Sequence, residues 1–201
     1  MSAGAPGTAQ APIQARLLAV ATELFAEKGF DATSVQEVVE RAKVTKGALY
    51  HYFDSKQDLL YEIYHPIISV QLADLERILA AGRPAPDTLR AIIVNLVQTT
   101  AARADQAMVF GREMHRLDRA RLAAVRADRR RYHDLVRDVV ARAQAAGEFA
   151  AVADADTVTL VIFGVINQLP VWYRPGGAKS PGQLGAEIAD LVLAGLRAGP
   201  S

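Results

Sequence analysis

The chain has 201 residues, 51% apolar and 22% charged, with a formal net charge of +1. That is enough apolar matter for one large or two small packed cores, and too little excess charge for a polycation. It contains no cysteine, which excludes disulfides and thiolate metal sites and suits a reducing cytoplasm, the expected location.

Residues 1–11, MSAGAPGTAQA, lack the charged start and apolar centre of a signal peptide and read as a disordered tail. A first helix is predicted from Pro12 to Lys28, with Gly29 as its C-cap and Leu17, Leu18, Ala21, Leu24 and Phe25 at core spacing. Thr33 reads as the N-cap of a second helix over Ser34–Ala42, with Gln36 completing a capping box and Val35, Val38 and Val39 inward. A third helix runs from Thr45 to about Tyr52. Leu49 and Phe53 turn inward there, while Thr45, Lys46, Ala48, Tyr50 and His51 face out. Tyr52 is expected to pack with Phe53 against the first helix. Two helices this short around a tight turn, decorated with hydrogen-bond donors, form a helix-turn-helix unit.

Ser55 is the predicted N-cap of a fourth helix reaching about Ala80, with Asp58 as its capping-box partner. Pro66 removes one helical hydrogen bond and disfavours helical geometry at His65, so a kink or break is expected there. It would divide a small domain, 12–65, from a larger one, 66–201. After the punctuation Gly82-Arg83-Pro84-Ala85-Pro86, Asp87 is expected to cap a helix to about Ala104, with Leu89, Ile92, Ile93, Leu96 and Val97 inward. Further helices are predicted over Gln106–Leu117, Asp118–Ala146, Asp154 or Asp156 to Trp172, and Ser180–Arg197. No convincing strand alternation or repeat occurs, so the expected class is all-α. No apolar run is expected to reach the roughly 18 residues that span a bilayer.

Lys43-Val44-Thr45-Lys46-Gly47-Ala48-Leu49-Tyr50-His51-Tyr52-Phe53-Asp54-Ser55-Lys56 resembles the TetR family of bacterial transcription regulators. That family carries a run close to Gly-Val-Ser-Lys-Gly-Thr-Leu-Tyr-His-Tyr-Phe-x-Ser-Lys. Leu24-Phe25-Ala26-Glu27-Lys28-Gly29-Phe30 looks like the end of its first helix. The resemblance covers about residues 12–65. It implies an N-terminal three-helix DNA-binding domain, a larger helical domain for ligand binding and dimerisation, and no cofactor. The chain departs at Lys43, where the family usually has glycine. If the backbone there has positive φ, lysine costs roughly 1 kcal/mol relative to glycine, and a phosphate contact is the expected compensation.

The residues expected to touch a double-stranded operator are Thr33, Lys43, Thr45, Lys46, Gly47, Ala48, Tyr50, His51 and Lys56. Lys46 suits guanine O6 and N7 or a phosphate, and Ala48 a thymine methyl. Gly47 permits close backbone approach. Thr45 and Tyr50 offer hydroxyls to phosphates, and His51 reaches a base edge or a phosphate. Lys56 sits at a helix N-terminus, where phosphate is favoured. Residues 1–65 hold six Lys/Arg against eight Asp/Glu, so attraction to DNA must come from a focused patch.

One helix-turn-helix reads few base pairs, so a homodimer on a palindrome is expected. The run 158–171, VTLVIFGVINQLPV, is apolar almost all round and calls for a partner. The last helix adds Leu184, Ile188, Leu191, Val192 and Leu196, with Gly185, Ala189 and Gly195 allowing close approach. In the resembled family the last two helices make the dimer bundle. Leu96, Met108, Phe110, Met114, Phe163, Asn167 and Trp172 are the expected lining of a ligand pocket. Ten arginines stand against five acids between Arg112 and Arg142, which suits either a solvated face or an anionic ligand. Residues 167–177 look similar to family members that regulate fatty-acid or sterol breakdown. An acyl- or steroid-coenzyme A effector is the sharper expectation, and a repressor the expected role. The rivals are an activator and a ligand-independent architectural protein. No nucleophile elbow, P-loop, dinucleotide fingerprint or HExxH occurs, so an enzyme is not expected.

Overall fold

The computed structural model describes residues 12–197; the tail expected at 1–11 lies outside them. In chain order the helices are α1 (Ile13–Lys28), α2 (Val35–Arg41), α3 (Lys46–Tyr52), α4 (Lys56–Ala80), α5 (Ala85–Ala101) and α6 (Ala104–Glu113). After a 3-10 turn over Met114–Arg116 come α7 (Arg119–Ala145), α8 (Ala155–Asn167), α9 (Leu169–Trp172) and α10 (Pro181–Gly195). No strand forms among the described residues; one isolated antiparallel bridge joins Phe149 to Arg197.

The small unit closes where the periodicity predicts. Leu17, Ala21, Leu24 and Phe25 of α1 are buried with Val38, Val39, Leu49 and Phe53, and with Leu59 and Leu60 of α4. Leu18 is only partly covered. The N-cap of α2 differs from expectation. Ser34, not Thr33, accepts from the Glu37 N–H at 3.1 Å, and Gln36 donates instead to Glu40. Thr45 caps α3 through the Ala48 N–H, and Ser55 caps α4 through the Asp58 N–H. The Asp58 carboxylate reaches back to the Asp54 N–H rather than to that of Ser55.

The break expected at Pro66 is not there. α4 runs unbroken from Lys56 to Ala80 with Pro66 on its exposed side. Only one donor is lost, and the apolar side through Ile63, Ile67, Ile68, Leu72 and Leu75 stays buried. α5 begins at Ala85, so Asp87 lies in its first turn rather than at its cap.

The helix expected to end at Trp172 is two helices. Pro170 has no N–H for the Ile166 carbonyl, which the Gln168 N–H takes instead, and the chain turns before α9. Residues 155–172 nonetheless form an 18-residue stretch with mean hydropathy 1.3, apolar enough by length and composition to cross a membrane. That corrects the expectation that no such run exists, although the stretch is divided at Gln168.

α5 sits at the centre of the larger unit, with Leu89, Ile92, Ile93 and Val97 wholly buried. α10 lies along it so closely that a Cβ on Gly185 would come within 3.0 Å of the Val94 Cα. Gly185 and Ala189 therefore serve packing within the chain, whereas Gly195 is exposed with nothing within 4 Å of its Cβ position. Gly185, Ile188, Ala189 and Leu196 are buried, whereas Leu191 is 75% exposed.

Candidate functional site: a DNA-reading helix and a helical cavity

α3 is held by Leu49 and Phe53 beneath it, which leaves Thr45, Lys46, Gly47, Tyr50 and His51 exposed and Ala48 partly so. Tyr52 is also exposed, against the expectation that it packs on α1. Its ring stands edge-on to that of His51 at 4.9 Å. The turn from α2 to α3 places Lys43 at φ 52°. The Val44 N–H closes on the Val39 carbonyl and the Lys43 N–H on that of Glu40, the backbone pattern of a Schellman C-cap.

Other residues sort the charge. Lys28 pairs with Glu37 and Arg41 with Glu27. Lys56 does not face outward. Its Nζ donates to the Phe30 and Thr33 carbonyls at 2.8 Å each and lies over the Phe30 ring. Burial draws its pKa below the ordinary value, opposed by the charges of Asp31 and Glu113. This corrects the phosphate role expected for Lys56. Thr33 is corrected too: it is buried, and its hydroxyl donates to the Gly29 carbonyl at 2.9 Å. Lys43 and Lys46 are left exposed, with no carboxylate partner among the described residues.

The larger unit holds a cavity of about 560 Å³, open to solvent, between α4, α5, α6, α7 and α8. Leu96, Phe110, Met114, Phe163 and Asn167 line it as expected. Met108 and Trp172 do not. On α6 the lining positions are Ala107, Phe110 and Gly111, which puts Met108 on another side of the helix. Trp172 lies beyond the break at Gln168 and is exposed. The cavity also draws on residues the sequence did not single out as lining: Tyr64 and Gln71 of α4, Thr100 of α5, and Arg129, Arg130, Tyr132 and His133 of α7. Gln71 had a legible signal, since a glutamine one turn beyond Ile67 and Ile68 belongs to a buried side.

The cavity wall continues into the small unit. Tyr64 stacks on Phe110 with ring centroids 3.7 Å apart, and Arg129 Nη1 donates to the Tyr64 hydroxyl at 3.4 Å. Beyond Phe110, Arg116 pairs with Asp31 at 2.5 Å and its carbonyl accepts from Gln57. Arg121 binds Asp58 at 2.6 Å and also pairs with Asp118 at 2.6 Å.

The family model described as bacterial regulatory proteins, tetR family, matches residues 17–63. The tetracyclin repressor-like C-terminal domain matches residues 82–196, over half of the chain. The chain belongs to the TetR family. It is therefore a DNA-binding regulator of transcription and not an enzyme. It is 27% identical to the HTH-type transcriptional repressor KstR2 of Mycolicibacterium smegmatis over 195 residues, 96% of this chain and 95% of that one. The solved ketosteroid transcriptional regulator KstR2 of Mycobacterium tuberculosis superposes with a TM-score of 0.85 at 24% identity, covering 95% of this chain and 98% of that one. AibR, solved with isovaleryl coenzyme A and operator DNA, superposes with a TM-score of 0.75 at 21% identity, covering 90% and 97%. At those two identities the superpositions speak for the fold.

TetR regulators bind operator DNA and form dimers. In this member, Val161 and Val165 of α8 and Leu191 of α10 stand exposed on the two long helices nearest the C-terminus. Of the α10 stripe, Ile188 and Leu196 are buried, Leu184 and Val192 are partly covered and Leu191 is exposed.

Proposed function

We propose that this TetR regulator is a cytoplasmic homodimeric repressor that leaves a palindromic operator when an anionic acyl compound of the coenzyme A thioester class fills its cavity. The observation that carries this reading is the pairing of an open cavity, apolar over most of its wall, with Arg129 and Arg130 in that wall. Neither guanidinium meets a carboxylate among the described residues, whereas Arg121, Arg131 and Arg137 do. A charged group left unpaired beside an apolar chamber suits a ligand with an acyl body and phosphate or carboxylate oxygens. The names of the relatives agree: one binds isovaleryl coenzyme A and DNA, and another is a ketosteroid regulator.

Lys43, Thr45, Lys46, Gly47, Ala48, Tyr50 and His51 form the reading surface, and α8 with α10 the subunit contact through Val161, Val165 and Leu191. The functional division falls near 65/66 inside the continuous α4. A ligand shifts the protein between conformers only through unequal affinity for them. The stack of Tyr64 on Phe110 and the Arg116–Asp31 and Arg121–Asp58 pairs are the route by which filling the cavity reorients the small unit. This replaces a break at Pro66 as the lever. The cavity itself favours this reading over a ligand-independent architectural protein.

Thermal-shift measurements with coenzyme A thioesters and the matching free acids test it. The thioesters should raise the Tm more, by an increment that shrinks in the Arg129→Ala/Arg130→Ala double variant. Equal shifts from thioester and acid would remove the proposed effector class.

A further inference from the structure

The lining of the cavity divides by exposure. Gly111, Arg130, Leu160, Asn167 and Gln168 are exposed and mark the opening. Further in, α4 contributes the stripe Tyr64, Ile67, Ile68 and Gln71. Tyr64 meets Arg129, and Gln71 lies seven residues on, about 10 Å at the rise of an α-helix.

Packing does not explain a glutamine there, since leucine or methionine would fill the same space. Six threonine or glutamine side chains are buried among the described residues. Thr22, Thr33, Thr88 and Thr159 each donate to a backbone carbonyl. The other two, Gln71 and Thr100, do not, and both line the cavity.

Gln71 is 6% exposed. Its Nε2 donates to the Thr99 and Thr100 hydroxyls at 3.2 and 3.4 Å. Thr99 gives its own proton to the Asn95 carbonyl at 2.9 Å, so toward Gln71 it only accepts, and this fixes which arm of the amide is the nitrogen. The Oε1 arm is turned away from Thr99 and receives no hydrogen bond among the described residues. It is not sealed. The unpaired buried atoms shut off from water are Arg16 Nε, Asn95 Oδ1 and Tyr132 Oη. Gln71 Oε1, equally unpaired, keeps surface that water can touch, and that surface opens on the cavity that Gln71 lines. A ligand filling the inner end displaces the water that hydrates this carbonyl. A ligand with a donor restores the bond; one without leaves the oxygen buried and unpaired, and loses affinity for it.

We infer that the effector carries an O–H or N–H donor that reaches Gln71 Oε1, and that Gln71 discriminates against ligands presenting only hydrocarbon to the inner wall. The coenzyme A class rests on the reading proposed above; the donor is argued from the inner wall alone. Two parts of such a thioester can supply it, an amide N–H of the pantetheine arm or a hydroxyl on the acyl body.

The test is calorimetric titration of the full chain and of Gln71→Met with octanoyl-coenzyme A and its 8-hydroxy and 7-oxo derivatives. The variant keeps the length of the side chain and removes the acceptor. A pantetheine donor predicts that Gln71→Met weakens all three by about fivefold to tenfold. A hydroxyl donor predicts that the wild type prefers the 8-hydroxy thioester to the other two by the same factor, and that the variant erases the preference. Affinities that the variant leaves unchanged, or a wild-type preference for the 7-oxo compound, overturn the inference. An uncharged arm compares 1-octanol and N-methylhexanamide with methyl hexyl ketone by thermal shift. If no thioester binds, the effector class fails while this arm still decides the inner wall. A Tm rise larger for the alcohol or the amide than for the ketone, and lost in Gln71→Met, supports the inference; equal or absent shifts overturn it. Should Gln71→Met fail to fold, Gln71→Asn, which draws the carbonyl back by one methylene, should show the same losses, and unchanged binding in that variant overturns the inference.

Discussion

Two helices of this chain end in the same way, and only one of them uses the residue that suits the backbone. α7 closes with Gly147 at φ 74°, its N–H on the Gln144 carbonyl and the Glu148 N–H on that of Ala143. α2 closes with the same two bonds around Lys43 at φ 52°. Glycine adopts that conformation freely and lysine does not. The body of the molecule takes the comfortable residue; the DNA-reading unit takes a strained one that carries charge. The rest of that unit shows why. Lys28, Arg41 and Lys56 are each held by an acid or by carbonyls, which leaves Lys43 and Lys46 as the unit's exposed lysines without a carboxylate partner among the described residues.

The sharpest way to break this contrast is at Lys46. Lys46→Ala should weaken operator binding by about 1–3 kcal/mol more than binding to random duplex if Lys46 reads a base edge, as fluorescence titration on both DNAs would record. Equal losses would make Lys46 a phosphate contact. Lys56→Met should lower folding stability by about 1–2 kcal/mol, because the Phe30 and Thr33 carbonyls lose a charged donor. The slope of DNA affinity against salt should not move. A flatter slope would return Lys56 to the phosphate set, where sequence alone had put it.

That error shows where the chain was legible and where it was not. The reading helix was visible because a seven-residue segment fixes its own geometry: Thr45 caps it, Leu49 and Phe53 anchor it, and the remaining positions face out. The cap at Ser55 was visible for the same local reason, and so were helix starts at Asp118, at Ser180 and at Asp154 or Asp156, of which the structure uses Asp154. Lys56 was misplaced because its acceptors lie 23 and 26 residues earlier in the chain, a distance no local pattern spans. Thr33 was misplaced by one position of cap register, which carried its hydroxyl from surface to core. The cavity was half legible. Apolar lining residues share the periodicity of ordinary core, so Met108 could not be told from Met114.

Exchanging the two closures gives a smaller and more direct effect. Lys43→Gly should raise stability by about 1 kcal/mol, and Gly147→Ala should lower it by about the same amount, measured by denaturant unfolding at constant m-value. Lys43→Gly should also weaken all duplexes alike and reduce the salt slope by about one contact. A Lys43→Gly variant that gains stability and binds DNA unchanged would leave the strained lysine without a purpose on DNA.

The smallest effect lies back in the body, at Asp74. A hydrogen bond from Asn95 and then one from Arg77 hold its pKa below the ordinary 3.8. The carboxylate is favoured in the folded chain, so the folded state binds fewer protons than the unfolded one as pH falls. The contribution is fully present above about pH 4 and is lost as pH drops through the lowered value. Because Arg77 is largely exposed, solvent weakens the pair and the contribution should stay well under 1 kcal/mol. Asp74→Asn should therefore flatten the acid limb of a Tm–pH curve and leave operator binding at neutral pH unchanged. A change in operator affinity would mean that the α4–α5 contact at Asp74 and Asn95 helps to set the position of the reading helix, and that body and reading unit are coupled beyond the cavity wall.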